Sequence, residues 1–231
     1  MPTDRQDTAG LHAKWLVAGL LFLGTLVNYF DRLAMPTVAP ALRQDYGFTN
    51  VQFSLIFNAF LLFYALSMWV WGGVFDRIGN RAGFSVAVLI WSLAEASTGL
   101  ARNLGGFCVA RAFLGAGEAG NWPGATRTIA AWFPARQRAL AMGLANAGAS
   151  LGPALGIPLI LGLKSALGWR AVFFTTGGVG LVWLALWLAL YPPNNAAVPA
   201  ARPAPVPLRA LLKTREARGI ILARFLGDPV W

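Results

Sequence analysis

Six apolar stretches separated by short polar connections dominate the chain. They fall at about Trp15–Met35, Val51–Phe75, Ala82–Leu100, Gly105–Ala131, Arg138–Leu161 and Arg170–Leu190. Each lies near the ~20 residues that cross the hydrocarbon of a bilayer as a helix. Hydrocarbon offers no partner for open backbone N–H and C=O groups, so each stretch is predicted to be helical. The fold class is therefore an all-α membrane bundle. Ahead of the first stretch, Met1–Ala13 is polar and lacks the apolar run of a signal peptide.

Beyond the sixth stretch the pattern changes. Pro192, Pro193, Pro199, Pro203, Pro205 and Pro207 alternate with alanines, the composition of an extended linker. Leu208–Arg218 reads either as a short basic helix on the membrane surface or as a solvated linker. From Gly219 an apolar run opens again, but it contains Arg224 and Asp228 and is too short to span before Trp231. It reads as the opening of a seventh helix. The expected division is a cytoplasmic tail (1–14), a six-helix bundle (15–191), a Pro-rich basic cytoplasmic linker (192–218) and the truncated start of a seventh helix (219–231). The chain is expected to be an N-terminal fragment.

Composition agrees with the pattern. Of the 231 residues, 57% are hydrophobic and only 12% are charged, against about 25% charged in soluble domains. Too little solvating charge is present to cover a soluble surface. Lys and Arg number 19 against 9 Asp and Glu, for a net charge of +10. In a soluble chain that excess would suggest nucleic acid. Here the bases sit between apolar stretches, where the positive-inside rule places them, and nucleic acid is not an expected partner. Arg5, Lys14, Arg77, Arg81, Arg136, Arg138, Arg202, Arg209, Lys213, Arg215 and Arg218 fall on one side, and Arg43, Arg102, Lys164 and Arg170 on the other. That asymmetry puts the N-terminus and the Pro-rich linker in the cytoplasm. A lone Cys108 and a lone His12 exclude an internal disulfide framework and a Cys/His metal site. No nucleophile–base constellation is visible, so an enzyme is not expected.

The informative residues are charges inside apolar stretches, each costing at least ~2.5–3.5 kcal/mol to insert unless it meets a partner or a watery cavity. The first stretch carries Asn28, Asp31 and Arg32, and the fourth carries Arg111, Glu118 and Asn121. Arg111 and Glu118 are two helical turns apart on one face, roughly 10 Å. They are too distant for a direct ion pair and could flank a ligand. Two arginines in hydrocarbon favour a bound anion, because the guanidinium fork matches a carboxylate. The acids favour protons, since burial and a nearby arginine act oppositely on an acid. The competing reading is structural: Asp31 with one arginine and Glu118 with the other, holding helices together. Glu95, mid-way along the third stretch, reads as a further buried acid that pairs with a neighbouring helix or stays protonated.

Two local patterns carry a family resemblance. Gly72-Gly-Val-Phe-Asp76-Arg77-Ile-Gly79-Asn-Arg81 is similar to the loop signature between the second and third helices of the major facilitator superfamily, with Asn80 where a base is usual. Gly148, Gly152, Pro153 and Gly156 resemble its fifth-helix motif. Within that superfamily, Asn28-Tyr-Phe-Asp31-Arg32 and Arg111 through Glu118 to Pro123 resemble the anion:cation symporter family, closest to its hexuronate and aldonate branch. The resemblance implies a six-helix bundle of two inverted three-helix repeats that works with a second such bundle by alternating access in a bacterial inner membrane. It implies a proton-coupled symporter of organic anions, with protons as coupling ion and no cofactor or metal. The expected substrates are sugar acids, or alternatively another carboxylate such as tartrate or a phthalate-like acid. A non-transporting fragment or assembly subunit is the remaining alternative. It assigns Arg32, Arg111, Tyr64 and Asn146 to the substrate, with Ser150 nearby. It assigns Asp31 and Glu118 to proton coupling, and Gly72, Asp76, Arg77, Gly79 and Arg81 to a conformational loop.

Overall fold

In a computed structural model, residues 3–192 are described, together with 213–215, 217–219, 222 and 223. Among the described residues six helices are present: α1 (Thr3–Tyr46), α2 (Asn50–Thr98), α3 (Leu104–Glu118), α4 (Asn121–Trp132), α5 (Ala135–Leu167) and α6 (Trp169–Leu190). Four of them are long and apolar enough to cross a membrane. α2 has 49 residues, about 73 Å at 1.5 Å per residue and more than twice a bilayer's hydrocarbon thickness. It is broken at Gly79, whose φ of 78° and ψ of 175° lie outside the helical region. A side chain is strained there, and glycine is not. Two of the predicted stretches are therefore the two limbs of α2.

The fourth stretch differs from its prediction as one continuous helix, because the chain turns at Ala119–Gly120 between α3 and α4. Pro123 is the physical reason. It has no N–H to give the Ala119 carbonyl, and it is tolerated as the third residue of α4, where helical N–H groups have no intrahelical partner anyway. The two limbs of α2, the α3–α4 pair and the three other helices correspond to the six predicted stretches. The first helix also extends beyond its predicted ends, back through the polar tail to Thr3 and on past Pro36 and Pro40 to Tyr46. Most of the 192–218 linker and of the run from 219 lies outside the described residues. Within that separate C-terminal unit, the Arg218 N–H donates to the Thr214 carbonyl at 3.3 Å, one helical turn.

Two apolar clusters fill the bundle. One gathers Val17, Leu21, Phe75, Phe84, Trp91, Trp183 and Trp187. The other gathers Met35, Leu42, Phe53, Ile56, Phe107, Trp169 and Phe173. Between them, in chain order, α1 places Asn28 and Asp31, and α6 places Thr176, all buried. The polar residues therefore form a layer sandwiched by apolar packing.

Close helix contacts rest on glycine. A Cβ on Gly115 of α3 would strike the Phe60 carbonyl of α2, and one on Gly148 of α5 would stand 2.5 Å from the Phe22 carbonyl of α1. These neighbours are backbone atoms that cannot step aside. Gly148→Val is expected to destabilise the bundle by about 1–3 kcal/mol or more through overpacking. Gly143→Ala, which meets nothing within 4 Å, should leave Tm unchanged or slightly raised. Thermal unfolding of the two purified variants in one detergent checks both; equal Tm losses would contradict the α1–α5 contact.

Candidate functional site

The buried layer brings together residues far apart in sequence. Arg32 Nε on α1 donates to Glu118 Oε2 on α3 at 2.7 Å. Glu118 is buried, while the Arg32 side chain keeps 25% of its surface exposed. Three rings surround that guanidinium: its Cζ lies 5.4 Å from the Tyr29 centroid, 5.5 Å from Phe60 and 4.7 Å from Tyr64. Aromatic faces attract a cation and leave its N–H edges free. The contact uses one edge only, and Arg32 Nη2 and Glu118 Oε1 have no hydrogen-bond partner. Arg32 is thus a half-engaged guanidinium that can still offer donors to a second acid.

One turn of α1 away, Asn28 is buried with no partner for its amide oxygen or nitrogen, and neither oxygen of Asp31 accepts a hydrogen bond. Asp31 is fully buried, with Glu95, Glu118 and Arg111 as its charged neighbours. A buried polar group without a partner is expensive, and here several such atoms lie in one layer.

Arg111, which with Glu118 was expected to flank a ligand, has a counter-ion of its own in this structure. Its Nη1 donates to Glu95 Oε2 at 3.2 Å, and its Cζ lies 5.9 Å from the Phe173 ring. Both partners of this pair are buried, Arg111 at 4% side-chain exposure and Glu95 at 0%. The Thr176 hydroxyl of α6 donates to the other Glu95 oxygen at 3.3 Å. Glu95 is therefore the counter-ion that the sequence left unassigned. Its buried neighbours Ala87, Val88, Trp91, Ser92 and Thr98 recur at helical spacing along α2, a signal that it faces inward. The structural alternative also changes partners: Arg32 holds Glu118, Arg111 holds Glu95, and Asp31 holds neither arginine.

Tyr64, which the resemblance assigns to the substrate, lies beside Arg32. Asn146 and Ser150 are on the exposed side of α5, away from the face that Gly148 and Gly152 press against α1. They are not brought to Arg32 within this bundle.

The loop signature occupies one end of the bundle. Asp76 pairs with Arg127 of α4. Arg81 Nη2 donates to the Leu188 carbonyl at 2.6 Å, and Trp187 Nε1 donates to the Arg81 carbonyl at 3.1 Å. A cation on a last-turn carbonyl complements the helix dipole, so Arg81 ties the Gly79 break to the end of α6. Arg77 and Gly72 are exposed. At the other end, Trp169 Nε1 donates to Asp45 Oδ2 at 2.7 Å and Arg170 Nη2 to the Tyr46 hydroxyl at 2.8 Å. Among the described residues, no group of three His, Cys, Asp or Glu side chains could hold a metal ion.

Comparisons with known proteins agree with this architecture. A galacturonate transporter of Dickeya chrysanthemi is 31% identical over 236 residues, covering 94% of this chain and 68% of that protein. A hexuronate transporter of Escherichia coli (strain K12) is 28% identical over 236 residues, covering 94% of this chain and 55% of that protein. The chain thus spans between about half and two thirds of these relatives. A bacterial homologue of the human lysosomal transporter Spinster, solved inward-facing and occupied, superposes with a TM-score of 0.70 at 24% identity. It covers 80% of this chain and 46% of that one, and it speaks for the fold alone. The family model of the Major Facilitator Superfamily matches residues 21–230. The chain is a multi-pass membrane protein that belongs to the Major Facilitator Superfamily, a family of transporters and not of enzymes.

Proposed function

We propose that this chain is the N-terminal bundle of a proton-coupled symporter of organic anions, with sugar acids such as hexuronates and aldonates as substrates. The observation that carries the reading is the Arg32–Glu118 pair. A guanidinium in a membrane bundle, boxed by three aromatic rings, holds an internal carboxylate by one edge and keeps free donors and partial exposure. A substrate carboxylate can take the place of Glu118. Once displaced, Glu118 is a buried acid without its cation, and a proton makes it neutral. Anion and proton then enter together, because each removes the electrostatic objection to the other. The relatives named for galacturonate and hexuronate support the sugar-acid class.

In this reading Arg32 binds the carboxylate, and Tyr64 stands where a sugar hydroxyl would meet it. Glu118 and Asp31 carry protons. Arg111, held by Glu95 in this structure, sets the charge balance behind the binding face and would reach substrate only by leaving Glu95. Asn146 and Ser150 face outward, towards where a second six-helix bundle would close the substrate path. The loop residues Gly72, Asp76, Arg77, Gly79 and Arg81 latch the cytoplasmic side, with the N-terminus in the cytoplasm of a bacterial inner membrane.

Proteoliposomes bearing the full-length protein test the reading. Uptake of labelled galacturonate under an inward proton gradient should be competed by hexuronates and aldonates and not by phthalate. Competition by phthalate or tartrate in preference to sugar acids would move the substrate to that class. Glu118→Gln removes the charge at constant shape. It should keep exchange of the acid between equal pools while losing accumulation by about tenfold or more, since the proton that replaces Arg32 on the displaced acid then has no site. Accumulation at the wild-type level in this variant would remove Glu118 from the proton role.

A further inference from the structure

Glu95 is a buried, ionisable residue that the proposed transport cycle does not use. The charged groups facing it are Arg111 and Glu118 from α3 and Asp31 from α1. α6 adds only the Thr176 hydroxyl, and the arginine of α4, Arg127, is engaged with Asp76. The layer therefore holds three acids (Asp31, Glu95 and Glu118) against two guanidiniums (Arg32 and Arg111). With every group ionised, one negative charge is left over in a place where unpaired charge is costly. A single resident proton removes the surplus.

The contacts show which of the three acids lacks a close cation. Glu118 has Arg32 at 2.7 Å, and Glu95 has Arg111 at 3.2 Å and Thr176 at 3.3 Å. Asp31 is fully buried and neither of its oxygens accepts a hydrogen bond. The acid without a cation is the one that must be neutral. Arg111 is nonetheless an electrostatic neighbour of Asp31 as well as the partner of Glu95, so one guanidinium stands between two acids.

We propose that Asp31 and Glu95 share one proton and compete for Arg111, which makes Glu95 a third acid of the coupling machinery. The exchange balances. The proton leaves Asp31 and reaches Glu95, Arg111 turns from Glu95 to the newly ionised Asp31, and the charge of the trio is unchanged. Two arrangements of equal charge that differ in which helix Arg111 is tied to form a two-state element: Arg111 bridges α3 to α2 in one and α3 to α1 in the other. Glu95 touches no substrate in either state. It is a positioning residue that acts through Arg111.

The inference rests on the proton-coupled reading above, and its test separates the two. In proteoliposomes of the full-length protein, counterflow of labelled galacturonate is measured against pH with equal pH on both sides, and accumulation is measured under a proton gradient. Wild type that exchanges the acid with no pH dependence and no gradient-driven accumulation overturns the proton-coupled reading before any variant is compared. Given a pH-dependent wild type, Glu95→Gln should keep counterflow, flatten its pH profile and cut accumulation about tenfold, since Arg111 then stays on Asp31. Should Glu95→Gln fail to give monodisperse protein, Thr176→Val removes the hydroxyl that faces both Glu95 and Asp31 and should displace the midpoint of the profile. A Glu95→Gln protein with the wild-type profile and accumulation, or an undisplaced Thr176→Val profile, overturns the proposal.

Discussion

Charge in hydrocarbon has to be paired, and the architecture of this bundle follows from that requirement. Three buried acids and two guanidiniums share one layer, each cation placed against an acid from another helix. Arg32 ties α1 to α3, and Arg111 ties α3 to α2. These pairs are poor sources of net stability, because desolvation offsets most of their attraction. They determine which helices meet and in what register. The apolar clusters on either side supply the burial and exclude the water that would otherwise screen the layer.

Such close ionic contact needs helices that approach closely and chains that bend where required. Gly115 brings α3 onto the Phe60 backbone, and Gly148 and Gly152 bring α5 onto α1 at Phe22 and Tyr29. The turn at Ala119–Gly120 follows directly after Glu118. Pro123 forces that turn, so the acid stands at the end of a helix with neighbours free of the regular α-helical ladder. At the bundle's end, the Gly79 break is pinned by Arg81 to the Leu188 carbonyl and by Asp76 to Arg127. The charged layer and the pinned loop together give the bundle one polar seam and one tied end.

Much of this was legible in the sequence, for physical reasons that vary between elements. The crossings were readable because hydrocarbon allows only helix, and charge sparsity left no soluble alternative. Asp31, Arg32, Arg111 and Glu118 announced themselves because an ionisable residue among apolar neighbours demands a partner. Their pairing was not readable. Helical spacing places Arg111 and Glu118 on one face but says nothing of which acid a third helix turns towards them, and that acid is Glu95. What was hidden at Gly79 was that helix runs up to it from both sides, because the polar run Asp76–Arg81 between two apolar stretches reads as a loop. The turn after Glu118 was missed, because the fourth stretch was expected as one helix, although the missing N–H of Pro123 was a local signal for it.

The central claim is that Glu118 holds the place of a substrate carboxylate on Arg32 and accepts a proton when displaced. The most direct measurement is the Kd of galacturonate for the purified full-length protein across about pH 5 to pH 8. If binding takes up one proton per anion, affinity should weaken by up to about tenfold per pH unit as pH rises, the slope that linkage of a single proton gives. A Kd that stays constant across that range would contradict the exchange of carboxylate for carboxylate at Arg32.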